Sequence, residues 1–167
     1  MNRSFTRYSL FALILPLAIL FFGATATNAQ FQQAAGPESA FSIPAEHLIQ
    51  PQKLNAILQN PVGQSPLILQ VGSHLMFAQA HISGAEYAGP GSQPAGLELL
   101  RKRVASVPKA KLIVLYCGCC PWERCPNVGP AYKLLRDAGF TNVHVLYLAH
   151  NFGDDWVAKG YNVENPH

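Results

Sequence analysis

Charge is scarce in this chain. Of its 167 residues 13% are Asp, Glu, Lys or Arg, with twelve basic side chains against nine acidic ones. Arg3 and Arg7 fall within residues 1–29, so the remainder carries ten against nine, a net +1. Such a balance leaves no electrostatic footprint for nucleic acid or for an anionic membrane surface, and neither is expected as a partner. No pair of carboxylates, Ser-His-Asp arrangement or Gly-rich phosphate loop stands out, so the familiar signatures of hydrolases and nucleotide binders are missing. Internal repeats and low-complexity tracts are absent too, which excludes solenoids and propellers.

Cysteine is absent everywhere except in one nine-residue stretch. Cys117, Cys119, Cys120 and Cys125 lie in Tyr116-Cys117-Gly118-Cys119-Cys120-Pro121-Trp122-Glu123-Arg124-Cys125-Pro126. Cysteines that staple a fold are spread along it, because a bridge constrains most when it closes a long loop. A cluster that closes only tiny loops contributes little by that route. It therefore reads as chemistry: a thiolate nucleophile, a redox group or a soft-metal site.

Residues 1–29 have the pattern of an export signal. Arg3 and Arg7 give a positive start, Leu10 to Phe22 is apolar but for Pro16, and Thr27 and Ala29 are placed for cleavage before Gln30. The apolar stretch is short for a membrane span of about 20 residues. No cysteine follows it for lipid attachment, and the arginines are not paired. The expectation is a periplasmic or secreted protein with no stable membrane association after cleavage, in a compartment where disulfides persist. The remaining 138 residues suffice for one domain with a core.

Residues 30–42 are polar and turn-rich and read as a flexible leader. Beyond them, apolar runs alternate with amphipathic stretches. A helix is predicted over Pro51 to Gln59, with Leu54, Ile57 and Leu58 on one face. Leu67 to Val71 reads as a buried strand, and Gly84 to Pro94 reads mainly as loop. Leu97 to Val107 is an amphipathic helix whose Arg101, Lys102 and Arg103 form a solvated face. Leu112 to Tyr116 is a second strand and Pro130 to Ala138 a helix, with Ala131, Leu134, Leu135 and Ala138 inward and Gly139 as its stop. Val143 to Leu148 is a third strand, and Asp154 to Lys159 a last helical turn or two. Strands alternating with helices give an α/β fold, a central parallel sheet covered by helices on both faces. Such sheets bind ligands beyond the carboxyl ends of their strands, which is where Gly72-Ser73-His74, the Cys117 loop and Ala149-His150-Asn151 emerge.

Four segments taken together resemble the rhodanese (sulfurtransferase) family. Phe77-Ala78-Gln79-Ala80-His81-Ile82-Ser83-Gly84-Ala85 is similar to its aromatic-x-x-Gly-His-Ile-Pro-Gly-Ala segment. Leu115-Tyr116-Cys117 is similar to the strand that ends on the catalytic cysteine. Ala138 to Val143 matches the helix-to-strand turn that follows, and Asn151 to Val163, with Gly153, Trp156, Gly160 and Tyr161, resembles the closing segment. The resemblance spans residues 43–163 and implies a rhodanese-like three-layer fold, with residues 164–167 as a tail. Two departures accompany it. The family's first strand usually reads Asp-Val-Arg, where this chain has Gln70-Val71-Gly72. Its active loop is also shorter, by about five residues, than the path here from Cys117 to Gly139.

The resemblance implies a persulfide-carrying sulfurtransferase. It takes sulfur from a small donor such as thiosulfate, passes it to a thiol or cyanide-like acceptor, and needs no cofactor. Strand register makes Cys117 the nucleophile, whereas Cys-x4-Arg spacing makes it Cys119, paired with Arg124. Arg124 and the backbone at Gly118 are candidates to hold the donor, and Trp122 is a candidate lid. Cys119, Cys120 and Cys125 are candidate resolving thiols. The same groups permit a thiol-disulfide cycle with a periplasmic redox partner. They also permit a soft-metal site of Cys117, Cys119, Cys120 and Cys125, which His74 or His150 completes. His81 is expected to be structural.

Overall fold

The computed structural model describes residues 43–61 and 63–165. The predicted signal and leader, and the last two residues of the tail, lie outside the described residues. Three short apolar runs form the centre of a parallel sheet: β2 (Leu67–Gln70), β5 (Ile113–Tyr116) and β6 (Val143–Leu146). Two-residue strands β1 (Leu48–Ile49) and β4 (Glu86–Tyr87) close its edges, giving the order β1-β6-β5-β2-β4 with every pair parallel. A separate antiparallel pair joins β3 (His81–Ile82) to β7 (Val163–Glu164). The folded chain thus reaches Glu164, one residue into the segment expected to be tail.

Side chains alternate across a strand, and both faces of this sheet are covered. Leu69, Val71, Leu115 and Val145 pack with Leu100 and Val104 of α3 (Pro94–Val104) and Ala131 and Leu135 of α4 (Val128–Asp137). Ile68, Val114, Tyr116 and Leu146 face the other way. They meet Leu54 of α1 (Pro51–Gln59), Phe152 of α5 (Phe152–Asp155) and Trp156 just beyond it. This alternation decides the site. Tyr116 points into one layer, and Cys117, one residue further, belongs to the other, beside Leu115.

Several local expectations are corrected. Gly84 to Pro94 is mainly loop as expected, but it holds a two-residue strand, where Glu86 and Tyr87 pair with Leu69 and Gln70. A helix absent from the sequence reading, α2 (His74–Gln79), fully buries no residue and so shows no apolar stripe. The predicted helix from Leu97 to Val107 starts earlier, at Pro94, and ends at Val104. Likewise α4 starts at Val128, since Pro130 in the first turn loses no intrahelical hydrogen bond. Ala138, expected inward, is its exposed C-cap, and Gly139 stops the helix at φ +85. The last stretch is α5 followed by a 3-10 turn over Val157–Lys159. Among the described residues no helix is long and apolar enough to cross a membrane.

Candidate active site

Cys117 is the first residue beyond β5, at the carboxyl end of the middle strand. The ladder continues past it on β2, where Val71 N donates to Tyr116 O at 2.8 Å. Gln70 then fixes the exit. Its Nε2 donates to Cys117 O at 3.0 Å, and its Oε1 accepts from Gly72 N at 3.2 Å. Gln70 is 2% exposed, so these two bonds satisfy a buried amide. Gly118 follows at φ +94, a conformation that favours glycine, and turns the chain sharply. Its carbonyl accepts from Phe152 N at 3.0 Å, which ties the turn to α5.

That turn brings sulfurs together. Cys117 Sγ and Cys119 Sγ lie 3.2 Å apart, and Cys119 Sγ and Cys120 Sγ are also 3.2 Å apart. The sulfurs of Cys117, Cys119 and Cys125 all lie within 4.8 Å of one another. All four thiols are free; Cys117 and Cys125 are buried, Cys120 is half-buried and Cys119 is exposed. Three sulfurs so close can hold a soft cation. Cys120 is not in that group, and His150 instead faces Asp155, 3.2 Å from Nδ1 to Oδ1. His74 packs edge-on against Tyr87, and His81 stacks on Phe77 with Glu164 3.5 Å away.

The environment of Cys117 favours its anion. Its pKa is drawn down to about 6, chiefly by hydrogen bonding from the Cys125 thiol. Burial opposes this, while the backbone N–H and thiol of Cys119 and the side chain of Asn127 assist it. Cys125 moves the other way, because its thiol proton is held by the Cys117 sulfur. Asn127 Nδ2 donates to Cys117 Sγ at 3.3 Å, and its Oδ1 accepts from Ser92 N at 3.0 Å. Asn127 occupies the N-cap of α4, yet its side chain makes no capping bond. Asparagine there ordinarily caps the helix; here it is turned to the sulfur instead.

A cavity of about 340 Å³ opens beside the thiolate, lined by Gln70, Met76, Gln79, Ala80, Tyr116, Cys117, Gly118, Cys119, Asn151, Phe152, Gly153 and Val157. None of these carries a formal positive charge. Arg124 is exposed and Trp122 half-buried, and neither is among the lining residues. They belong to a 3-10 turn at Trp122–Arg124, anchored where Trp122 N donates to Leu148 O at 3.0 Å. The Trp122 ring leans on Tyr147, and its indole N–H is buried without a partner among the described residues.

No protein-family model and no curated protein matches the chain. Solved structures do. The Alr3790 protein from Anabaena sp. is similar at 28% identity with a TM-score of 0.52, over 70% of this chain and 90% of that one. The solution structure of its rhodanese-like domain gives 26% identity and a TM-score of 0.52, over 71% and 78%. The chain has a rhodanese-like fold. At 18% identity, a thiosulfate sulfurtransferase from Pseudomonas aeruginosa shares the fold, with a TM-score of 0.52 over 72% of this chain and 20% of that one.

Within that rhodanese-like frame, the sequence pointed to Gln70 and Gly72 only as a departure at the end of the first strand, without their roles, and did not point to Asn127. Gln70 was visible as a polar residue inside an otherwise apolar run, and Asn127 could have been found as a residue placed to cap a helix. Gly72 stood out only as the residue in place of the family's arginine. Its role emerges only from the sulfur packed against it, since a Cβ there would sit 2.8 Å from Cys117 Sγ.

Proposed function

We propose that this rhodanese-like protein is a sulfurtransferase that carries sulfane sulfur as a persulfide on Cys117. The observation that carries the reading is the Cys117 thiol itself: at a strand's carboxyl end, on a cavity wall, with its pKa drawn down to about 6. A thiolate is the attacking species in sulfur exchange, so an anion stable at neutral pH suits the task. Cys117 attacks the outer sulfur of a donor. One S–S bond forms on Sγ, the donor's own S–S bond breaks, and sulfite or a thiolate leaves with the electron pair. The uncharged lining of amides, methionine and aromatic rings suits a small persulfide at least as well as thiosulfate.

Incubation of the reduced protein with thiosulfate, or with a low-molecular-weight alkyl persulfide, tests this by intact mass. The expected product, one added sulfur on the protein, is sought in Cys119→Ser, where the other close thiol is gone, and is lost in Cys117→Ser. Absence of added sulfur from the protein and from every cysteine variant refutes the reading. We further propose export with cleavage after Ala29, for which the check is the N-terminal sequence of the protein recovered from a periplasmic fraction.

The three close sulfurs favour a second reading, a soft-metal module. Metal that copurifies stoichiometrically under anaerobic conditions, and is lost when Cys117, Cys119 or Cys125 is replaced, would support it.

A further inference from the structure

We infer that Cys119 is an acceptor built into the site: it resolves the Cys117 persulfide, so that the protein reduces sulfane sulfur to sulfide with its own two thiols. This rests on the persulfide reading above and names the acceptor. A sulfurtransferase needs something to take its sulfur, and here a thiol already touches the carrier. Cys119 Sγ lies 3.2 Å from Cys117 Sγ. Closing to a disulfide bond of about 2.05 Å needs a shift of little over an ångström. The turn at Gly118, with φ +94, creates this approach between residues two apart in sequence. In an extended strand those two side chains would point the same way about two residue rises apart, roughly 7 Å.

The neighbouring thiols fit the role less well. Cys120 Sγ is in contact with Cys119 Sγ, not Cys117, and a bridge between adjacent cysteines closes a strained eight-membered ring. Cys125 is 4% exposed and packed in the core beside Val128, and it does not line the cavity. Cys119 is exposed and lines the same cavity as Cys117. A departing sulfide and an incoming reductant both have access there.

Cys119 gives up its thiol proton, and its sulfur attacks Sγ of the Cys117 persulfide. The Cys117–Cys119 disulfide forms, the bond from Sγ to the outer sulfur breaks, and that sulfur leaves as hydrosulfide, taking up the proton as the pH dictates. Two thiols are oxidised to a disulfide, and one sulfane sulfur is reduced to sulfide. An external dithiol then reopens the bridge by exchange and returns both cysteines to thiols. In the resting site, withdrawal from water and hydrogen bonds to Cys120 and Cys117 keep the Cys119 thiol protonated. Conversion of Cys117 to a persulfide takes the thiolate charge off the sulfur that Cys119 faces.

The test uses the purified protein, reduced anaerobically and freed of reductant, then given one equivalent of thiosulfate or alkyl persulfide. Sulfide is measured in solution, and intact mass after alkylation reports persulfide and disulfide. The expected result is a stoichiometric yield of sulfide with a Cys117–Cys119 disulfide, and repeated turnover once a dithiol is added. Cys119→Ser is expected to hold the persulfide and lose sulfide release, whereas Cys120→Ser behaves as the parent and Cys125→Ser still releases sulfide, with the loading of Cys117 shifted to higher pH. A parent protein that keeps its persulfide beside three free thiols overturns the inference while leaving the sulfurtransferase standing. So does a dependence on Cys125 in place of Cys119. A protein that never loads sulfur on Cys117 removes both.

Discussion

Gly72 and Cys117 share one space: a Cβ on Gly72 would lie 2.8 Å from Cys117 Sγ, 2.8 Å from Gln70 Nε2 and 2.9 Å from Cys117 O. The side chain missing from β2's exit is the room that the buried sulfur occupies. Gly72→Ala therefore forces the thiol or the Gln70 amide to move. Overpacking of this kind costs about 1–3 kcal/mol, more than the about 0.4–1 kcal/mol that alanine gains by stiffening the unfolded chain. A lowered midpoint in urea and slower alkylation of Cys117 are expected together. Unchanged values for both would show that the sulfur does not depend on this space.

Gln70 gives a prediction of a different kind, because it can be altered in shape or in charge. Gln70→Leu leaves Cys117 O and Gly72 N without their buried partner, at a cost of about 1–3 kcal/mol. Gln70→Glu keeps the shape but sets a carboxylate oxygen against Cys117 O and places negative charge beside the thiolate. The Cys117 pKa should rise in the glutamate variant, read as a shift of the alkylation profile to higher pH. Chemical denaturation of the leucine variant separates its stability loss from any change in the thiol.

The sequence made the three central strands and helices α1, α3 and α4 legible because each carries an apolar pattern at its own period. Strands β1, β3, β4 and β7 have two residues each, too few to show any period. Helix α2 has six residues, none fully buried, with Phe77 only partly packed on the core, so no stripe marks it. At the site, strand register was enough to bring Cys117 to the sheet's carboxyl edge. The sulfur-to-sulfur contacts were not readable, since they follow from the positive φ of Gly118 and from the pull of Asn127 away from its helix. Arg124, singled out by spacing, lies in a 3-10 turn that leaves it exposed outside the cavity lining.

The low pKa of Cys117 has a direct consequence for reactivity. Only the thiolate attacks, so the rate follows its population. With a value of about 6 in the folded protein, alkylation of Cys117 should be near its plateau at pH 7.5 and half-maximal near pH 6. Below that point the rate should fall by about tenfold per pH unit, as expected for one titrating group. Mass-resolved alkylation with Cys119, Cys120 and Cys125 replaced by serine one at a time assigns the profile. Cys125→Ser should shift the midpoint because the Cys125 thiol makes the largest contribution to stabilising the anion. A midpoint that stays at the ordinary thiol value in the parent would contradict the anion assigned here.

Asn127 separates a positioning role from a packing one. Its Nδ2 donates to the Cys117 sulfur at 3.3 Å and its Oδ1 accepts from Ser92 N at 3.0 Å, so one amide joins the thiolate to the loop ahead of α3. Asn127→Asp keeps size and the acceptor for Ser92 but replaces the donor with a charged oxygen facing the sulfur. The thiolate loses a hydrogen bond and gains a like charge, and both effects raise the Cys117 pKa. The alkylation profile should move to higher pH and persulfide loading at neutral pH should fall. Loading should recover as the pH is raised, since the thiol can still ionise. Asn127→Ala, which loses both bonds without adding charge, should show the smaller pH shift and the larger loss of stability. If the aspartate variant loads sulfur with an unchanged pH profile, Asn127 holds only the loop.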